Sequence, residues 1–380
     1  MIVVSGLIFL GIFLKNLVAN DNKNNFILEQ GNTQDTDNPN IDDDIYTAET
    51  AVDIPQIYYN YNGVYLDIQK LKNTEDLEAF IANIREKGIN AVNIDIKYET
   101  GVIPFEIENP MAILVGAVNA NENLPIAEII DTLHENNLYV SGTISCFKDN
   151  LASEVFPSYS LRKSSDGLLW NDAGGGYWLN VYSEGAREYI KEIIAESLKL
   201  NFDEIILSQF FFPNLANPHD LQYGDESSNK NKYDAIKEFI TDIGDIIRES
   251  SPDTKLGVNI PLRYFVRVPD EITGINPNSL LETDAFDFIM TSFAPSEIPS
   301  SVSIGGSVMT NAAQNPYNSV KTLCEHFEDY ISRITFRPIL QAYNSPDGII
   351  YDAHNITAQK QALFENDIKV WILVNFDNLY

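Results

Sequence analysis

From Gly63 onward, short apolar runs rich in β-formers alternate with longer stretches whose apolar positions recur every three or four residues. The short runs are GVYLDI (63–68), INAVNIDIK (89–97), LYVSGTISCF (138–147), DEIILS (203–208), KLGVNI (255–260), FDFIMTSF (286–293), TFRPILQAY (335–343) and IKVWILVNF (368–376). Each predicts a strand. Between them, TEDLEAFIANIREKG (74–88) gathers Leu77, Phe80, Ile81 and Ile84 on one helical face and ends on a capping glycine. SEGAREYIKEIIAESLKL (183–200) opens on a serine N-cap and an acidic first turn, and 232–249 and 355–367 are patterned alike. Strands that alternate with helices imply parallel pairing, right-handed crossovers and helices outside. Eight such units over roughly 320 residues predict an α/β fold, a (β/α)8 barrel, whose usual size is about 250 residues plus insertions. The last run ends close to Tyr380, so the closing eighth helix is expected to be missing or replaced. A doubly wound open sheet would carry a glycine-rich phosphate turn after its first strand; DIQKLKN (67–73) has none, and DAGGGYW (172–178) follows no strand.

The pattern before Gly63 is different. Residues 2–14 are apolar, short for a spanning helix of about 17–25 residues and closer to the core of a signal peptide. Residues 1–19 are therefore expected to be an export signal or membrane anchor, with a buried N-terminal helix as the alternative. Residues 20–55 are rich in Asn and Asp and poor in large apolar side chains, which predicts a disordered linker. Residues 56–380 form the expected barrel domain. Anchor, acidic tether and globular domain make the layout of an exported protein, at the cell surface or secreted, that meets the membrane only through its N-terminal segment. A formal charge of −30 and a pI near 4.3 leave no basic footprint for nucleic acid. Cys146 and Cys324 offer no disulfide framework, and the four histidines show no ligand spacing, so neither a metal nor a cofactor is expected.

Barrel chemistry sits at the carboxyl ends of the strands. In the second run Asn93, Asp95 and Lys97 share one face by the period of two, and polar groups there must be paired or used. Asp95 and Lys97 are thus candidate site residues, with a structural ion pair as the alternative. Lys148 and Asp149 follow the third run. The loop 148–182 carries Trp170, Tyr177 and Trp178 among Gly, Asn and Ser, where aromatic faces could stack on sugar rings or pack the loop down. Gln341, Tyr343 and Asn375 end the seventh and eighth runs. Amides, aromatics and a few charges, without a phosphate cradle or metal cluster, describe a carbohydrate site. The fourth run, FDEIILSQFFFP (202–213), places Ser208 and Gln209 where an enzyme of this architecture would want a carboxylate.

From about Val64 to Tyr380 the chain resembles a bacterial family of glycoside-hydrolase-like proteins catalogued as a domain of unknown function. INAVNIDIKYETG, LYVSGTISCFKD, WLNVYS, FDEIILSQFFFP, FDFIMTSFAP, RPILQAY and VWILVNFDNLY carry the resemblance, in the family's order and spacing. It implies a barrel, a glycan such as an extracellular or cell-wall polysaccharide, and no required cofactor. By the same resemblance Asp95 and Lys97 match the family's strand-two Asp and Lys. Phe147, Lys148 and Asp149 match its FKD, Trp178 and Asn180 its third-loop Trp and Asn, and Gln341 and Asn375 its late amides. The departures cluster. Where the family has Asp-Tyr-Val-Arg-Phe-Pro, this chain has Ser208-Gln209-Phe210-Phe211-Phe212-Pro213; Thr143 replaces an Arg, Asn259 an Asp, and Met290–Pro295 a Ser-Pro-Met-x-Tyr-Pro.

Glycoside cleavage ordinarily needs two carboxyl groups, and neither Ser208 nor Asn259 can act as one. Asp and Arg lost together read as a salt bridge removed as a unit, with Phe211 repacking the space. The expectation is a hydrolase-like barrel using Asp95, with Glu99, Asp149 or Glu297 as the loop carboxylates that could join it. Lys97, Lys148, Asp149, Trp178, Asn180, Ser208, Asn259, Gln341 and Asn375 are the expected substrate contacts. The alternative is a non-catalytic glycan-binding or structural surface protein on the same fold.

Overall fold

The computed structural model describes residues 60–374, apart from 121–123, 215–219, 225–226, 228–229, 267–269, 300 and 305. The expected signal or anchor (1–19), the linker (20–55), Asn375 and any closing helix lie outside the described residues. Eight strands form one closed parallel barrel. They are β1 (Asn62–Leu66), β2 (Ala91–Lys97), β3 (Tyr139–Ser145) and β4 (Glu204–Ser208), then β5 (Lys255–Asn259), β6 (Phe288–Ser292), β7 (Thr335–Gln341) and β8 (Trp371–Val374). Seven lie inside the runs that the sequence pattern singled out, and β1 starts one residue before its run. Closure is explicit at Val64, which pairs with Val92 of β2 on one side and Leu373 of β8 on the other.

Helices cover the barrel's outside: α1 (Thr74–Glu86), α2 (Ile126–Glu135), α3 (Glu184–Leu198), α4 (Lys232–Ser250), α5 (Pro316–His326) and α6 (Ala353–Phe364). In α4, Ile236, Phe239, Ile240, Ile243 and Ile247 are buried, the stripe that a 3.6-residue period lays against a sheet. Asn73, Ser183, Asn231 and Asp352 cap their helices by accepting a backbone N–H three residues on. After β5 the described residues form the short helical turns Arg263–Val266 and Pro277–Leu280 and no longer helix before β6. No described helix is long and apolar enough to cross a membrane.

The barrel interior is polar at its amino-terminal end. Arg337 of β7 and Glu204 of β4 are fully buried and form a two-pronged ion pair, with the guanidinium 3.5 Å from the Tyr61 ring centre and 4.1 Å from that of Phe288. Tyr61 in turn shares a 2.6 Å hydrogen bond with Ser141 of β3. Gly257 makes room for this layer, since a Cβ there would fall 2.2 Å from the Phe288 ring. The plug closes one end. The working face is the other, where two small antiparallel pairings shape the loops. Arg162–Lys163 pairs with Leu221–Gln222, tying the loop after β3 to the loop after β4, and Ser301–Ile304 pairs with Ser307–Thr310 after β6.

Candidate active site at the carboxyl ends of the strands

Asp95 is the fifth residue of β2, and the register brings it beside Thr143 of β3. The pairing shifts by one residue between Asp95 and Lys97, a bulge that ends the regular alternation where the strand meets the mouth. Asp95 is only partly covered, and among the described residues it makes no hydrogen bond or ion pair. Burial pushes its carboxyl up to about 7, with the charges of Asp67 and Glu99 adding to the rise. Asp67 stands one residue past β1 and accepts a long 3.5 Å hydrogen bond from the Tyr98 hydroxyl. Burial and the Asp95 charge in turn hold the Tyr65 and Tyr98 hydroxyls well above the usual phenol range, so both stay protonated donors near Asp95.

Lys97 is not beside Asp95. Its ammonium lies 3.0 Å from Asp149 and 2.5 Å from the Ser145 carbonyl, and both charged side chains have 0% exposure. Asp149 also caps the helix Asn150–Val155 through a 2.8 Å bond from the Ala152 N–H. The structural ion pair weighed for Lys97 is therefore what the fold contains, with Asp149 as the partner in place of Asp95. This corrects the expectation that these two side chains touch a ligand: neither reaches solvent.

Lys148 does reach the mouth. It pairs with Glu99 at 2.8 Å and Asp172 at 3.2 Å. Burial lowers its affinity for a proton, but those two carboxylates outweigh burial and leave it raised. Glu99 receives a second bond, 2.7 Å, from the Gln209 amide. Asp172 binds the Gly174 and Gly176 N–H groups, each at 2.9 Å, and the Trp178 indole N–H at 3.1 Å, so one carboxylate organises the glycine turn. Trp178 itself is buried, its ring 6.4 Å from that of Phe211. Phe211 also meets Phe210 and Tyr264, forming an aromatic cluster beside β4. Trp170 and Tyr177 are partly exposed, and Tyr177 forms a backbone bridge with Asn171.

The remaining candidates divide by their partners. Asn180 is buried and accounted for, donating to the Tyr223 carbonyl at 2.8 Å and accepting from the Tyr182 N–H. Gln341 is fully buried between the Tyr343 carbonyl and the Ser296 N–H. The Ser208 hydroxyl turns back to the Ile144 carbonyl at 3.0 Å. These three hold loops and strand ends together, and their side-chain bonds leave them poorly placed as substrate contacts. Asn259 ends β5 partly exposed. Glu297, after β6, accepts a 3.0 Å bond from the Tyr343 hydroxyl; burial raises its carboxyl, and the hydroxyls of Ser292 and Tyr343 offset part of that. Asp67 is a mouth residue that the sequence reading did not select, and Gln209 was marked only as standing where a carboxylate would be wanted. The position of Asp67 just past β1 was a usable signal; nothing in the sequence signalled the contact made by Gln209. Among the described residues no group of three or more His, Cys, Asp or Glu is arranged to hold a metal ion.

A mouth with a raised, open carboxyl at the end of β2 and a second, ion-paired carboxylate in the next loop suits acid-assisted bond cleavage. Residues 63–380 match the family model described as "Putative glycosyl hydrolase domain". The chain belongs to that family. Among solved structures, it is similar to the glycoside hydrolase domain of PgaB (BpsB) from Bordetella bronchiseptica, with 13% identity, 83% of this chain and 93% of that one covered, and a TM-score of 0.61. It is also similar to an α-amylase from Lactobacillus plantarum (12%, 84% and 71%, 0.52). An endo-1,4-β-D-mannanase from Thermotoga petrophila RKU-1 gives 11%, 83% and 88%, and 0.51. At these identities the likeness is one of fold. No curated protein matches the chain.

Proposed function

We propose that the protein hydrolyses glycosidic bonds of an extracellular or cell-wall polysaccharide, with Asp95 as the proton donor. The observation that carries this is the Asp95 carboxyl itself. It stands partly open at the end of a barrel strand, has no partner among the described residues, and holds its proton to about pH 7. A carboxylic acid with that affinity can give a proton to the glycosidic oxygen at neutral pH. The carbon–oxygen bond then breaks with its electron pair on the leaving oxygen. Water supplies the hydroxyl to the anomeric carbon and the proton that restores Asp95. The partly exposed Trp170 and Tyr177 rings offer apolar faces on which sugar C–H faces can lie.

A second reading, glycan binding without cleavage, is favoured by one observation: Ser208 and Asn259 bring no acid to the ends of β4 and β5. The test is release of reducing ends from a panel of neutral cell-wall and exopolysaccharide glycans. Hydrolysis predicts turnover that falls as pH rises through about 7, because the donor must be protonated, and a loss of about a thousandfold in Asp95→Asn. Turnover that survives Asp95→Asn removes Asp95 from the mechanism. Glycan retention without release of reducing ends selects the binding reading.

A further inference from the structure

We infer that Glu99 is the second carboxylate of this reaction, and that Gln209 and Lys148 are positioning residues that hold it in the mouth. The inference rests on the hydrolytic reading of Asp95. Glu99 follows β2 by two residues, and both of its oxygens are taken: Oε2 by Lys148 at 2.8 Å and Oε1 by Gln209 at 2.7 Å. Lys148 comes from the loop after β3 and Gln209 from the end of β4, so segments following three successive strands fix one carboxylate. Lys148 is anchored in turn by Asp172, whose other bonds tie down the glycine turn and Trp178. The arrangement leaves Glu99 with 32% side-chain exposure, enough for a substrate to reach it.

Gln209 bears the mark of a residue kept for its side chain. Its φ is +48°, a left-handed conformation unfavourable for a non-glycine residue and one that glycine would adopt freely. The backbone around it is secured, with the Cys146 N–H on the Ser208 carbonyl and the Phe147 N–H on the Gln209 carbonyl. The strained turn sends the amide to Glu99, at the strand end where Ser208 supplies no acid. The other carboxyls are placed less well. Asp149 is sealed against Lys97, and Asp67 accepts its own helix-capping bond beside Lys70. Glu297 sits under the Tyr343 hydroxyl after β6, four strands round the ring from β2. As the glycosidic bond breaks, the fixed negative charge of Glu99 faces the positive charge that develops at the anomeric carbon.

The test uses the full chain and its variants on whichever glycan the wild-type protein cleaves best. Glu99→Gln is expected to lower kcat about a thousandfold with little change in KM. Gln209→Gly should keep or raise the unfolding midpoint while lowering kcat about a hundredfold, because a carboxylate displaced by an ångström loses that much. KM should change little, because Gln209 places Glu99 and not the glycan. A turn residue with no further role would give the stability gain with kcat unaltered, and that result overturns the assignment of Gln209. Glu99→Gln within threefold of wild type, where Asp95→Asn is inactive, overturns Glu99 alone and leaves Asp95 standing. A wild-type protein inactive on every glycan removes the hydrolytic reading and this inference with it. Carboxyl 13C NMR adds a readout free of turnover: the Asp95 midpoint should fall in Glu99→Gln, and an unmoved midpoint also counts against the pairing.

Discussion

Asp95 is held at a cost, and the cost has a sign that can be measured. Its ordinary value is 3.8 and its folded value about 7, so between those limits the folded state holds a proton that the unfolded chain has released. Stability therefore falls as pH rises across that window, is unaffected by Asp95 below it, and carries the full penalty above it. Asp95→Asn removes the penalty. The variant should match wild type near pH 4 and unfold at higher denaturant above pH 7. The gain should grow by on the order of 2 kcal/mol between about pH 5 and pH 7, as read by urea midpoints at each pH. A variant no more stable than wild type at pH 8 would mean that Asp95 is solvated, and the donor role would lose its basis. The alternation of β2 was enough to mark this residue in the sequence. The same alternation marked Lys97 equally, and only the bulge after Asp95 and the distant Asp149 decide that its charge is buried. The left-handed Gln209 left no trace in the pattern, because a glutamine there reads as an ordinary strand-end residue.

Among the elements, the eight strands were legible because each apolar run is short, β-rich and bounded by turn residues, and because a strand buried on both faces tolerates few substitutes. Their carboxyl ends were less so. Lys97 and Asp149 join the end of β2 to the cap of Asn150–Val155 by one sealed ion pair. Removing one member strands the other charge in the interior, so Asp149→Ala should destabilise the protein by about 3–5 kcal/mol. Lys97→Met with Asp149→Ala should recover much of that loss, since no unpaired charge remains. Equal losses in single and double variants would show the pair to be solvated. Gly101 enforces the same joint: its φ is +96°, and a Cβ there would lie 2.2 Å from the Asp149 carboxylate. The pair Arg337–Glu204 at the opposite end carried a sequence signal, one Arg and one Glu as the charged residues of two mainly apolar strands. The partnership itself crosses the barrel and needed the closed ring to appear.

At the scale of the whole molecule the charge decides which polymers can approach. The chain carries −30, and within the mouth the Lys148 ammonium is already shared between the carboxylates of Glu99 and Asp172. Lys97 and Arg337 are buried with partners and project no field into solvent. A polyuronate would thus meet repulsion over its whole length, while a neutral glycan would meet only the local geometry. Screening separates the two cases, because the Debye length shrinks from about 30 Å at 0.01 M salt to about 3 Å at 1 M. Turnover of a neutral polysaccharide should change less than about twofold across that range. A polyuronate should be a poor substrate at low salt, its kcat/KM rising at least tenfold as salt is added, with the rise confined to KM. Strong cleavage of a polyuronate at 0.01 M salt would require a cationic subsite; Lys148 is already held by Glu99 and Asp172, which leaves Arg162 and Lys163 of the loop after β3 as the groups to substitute next.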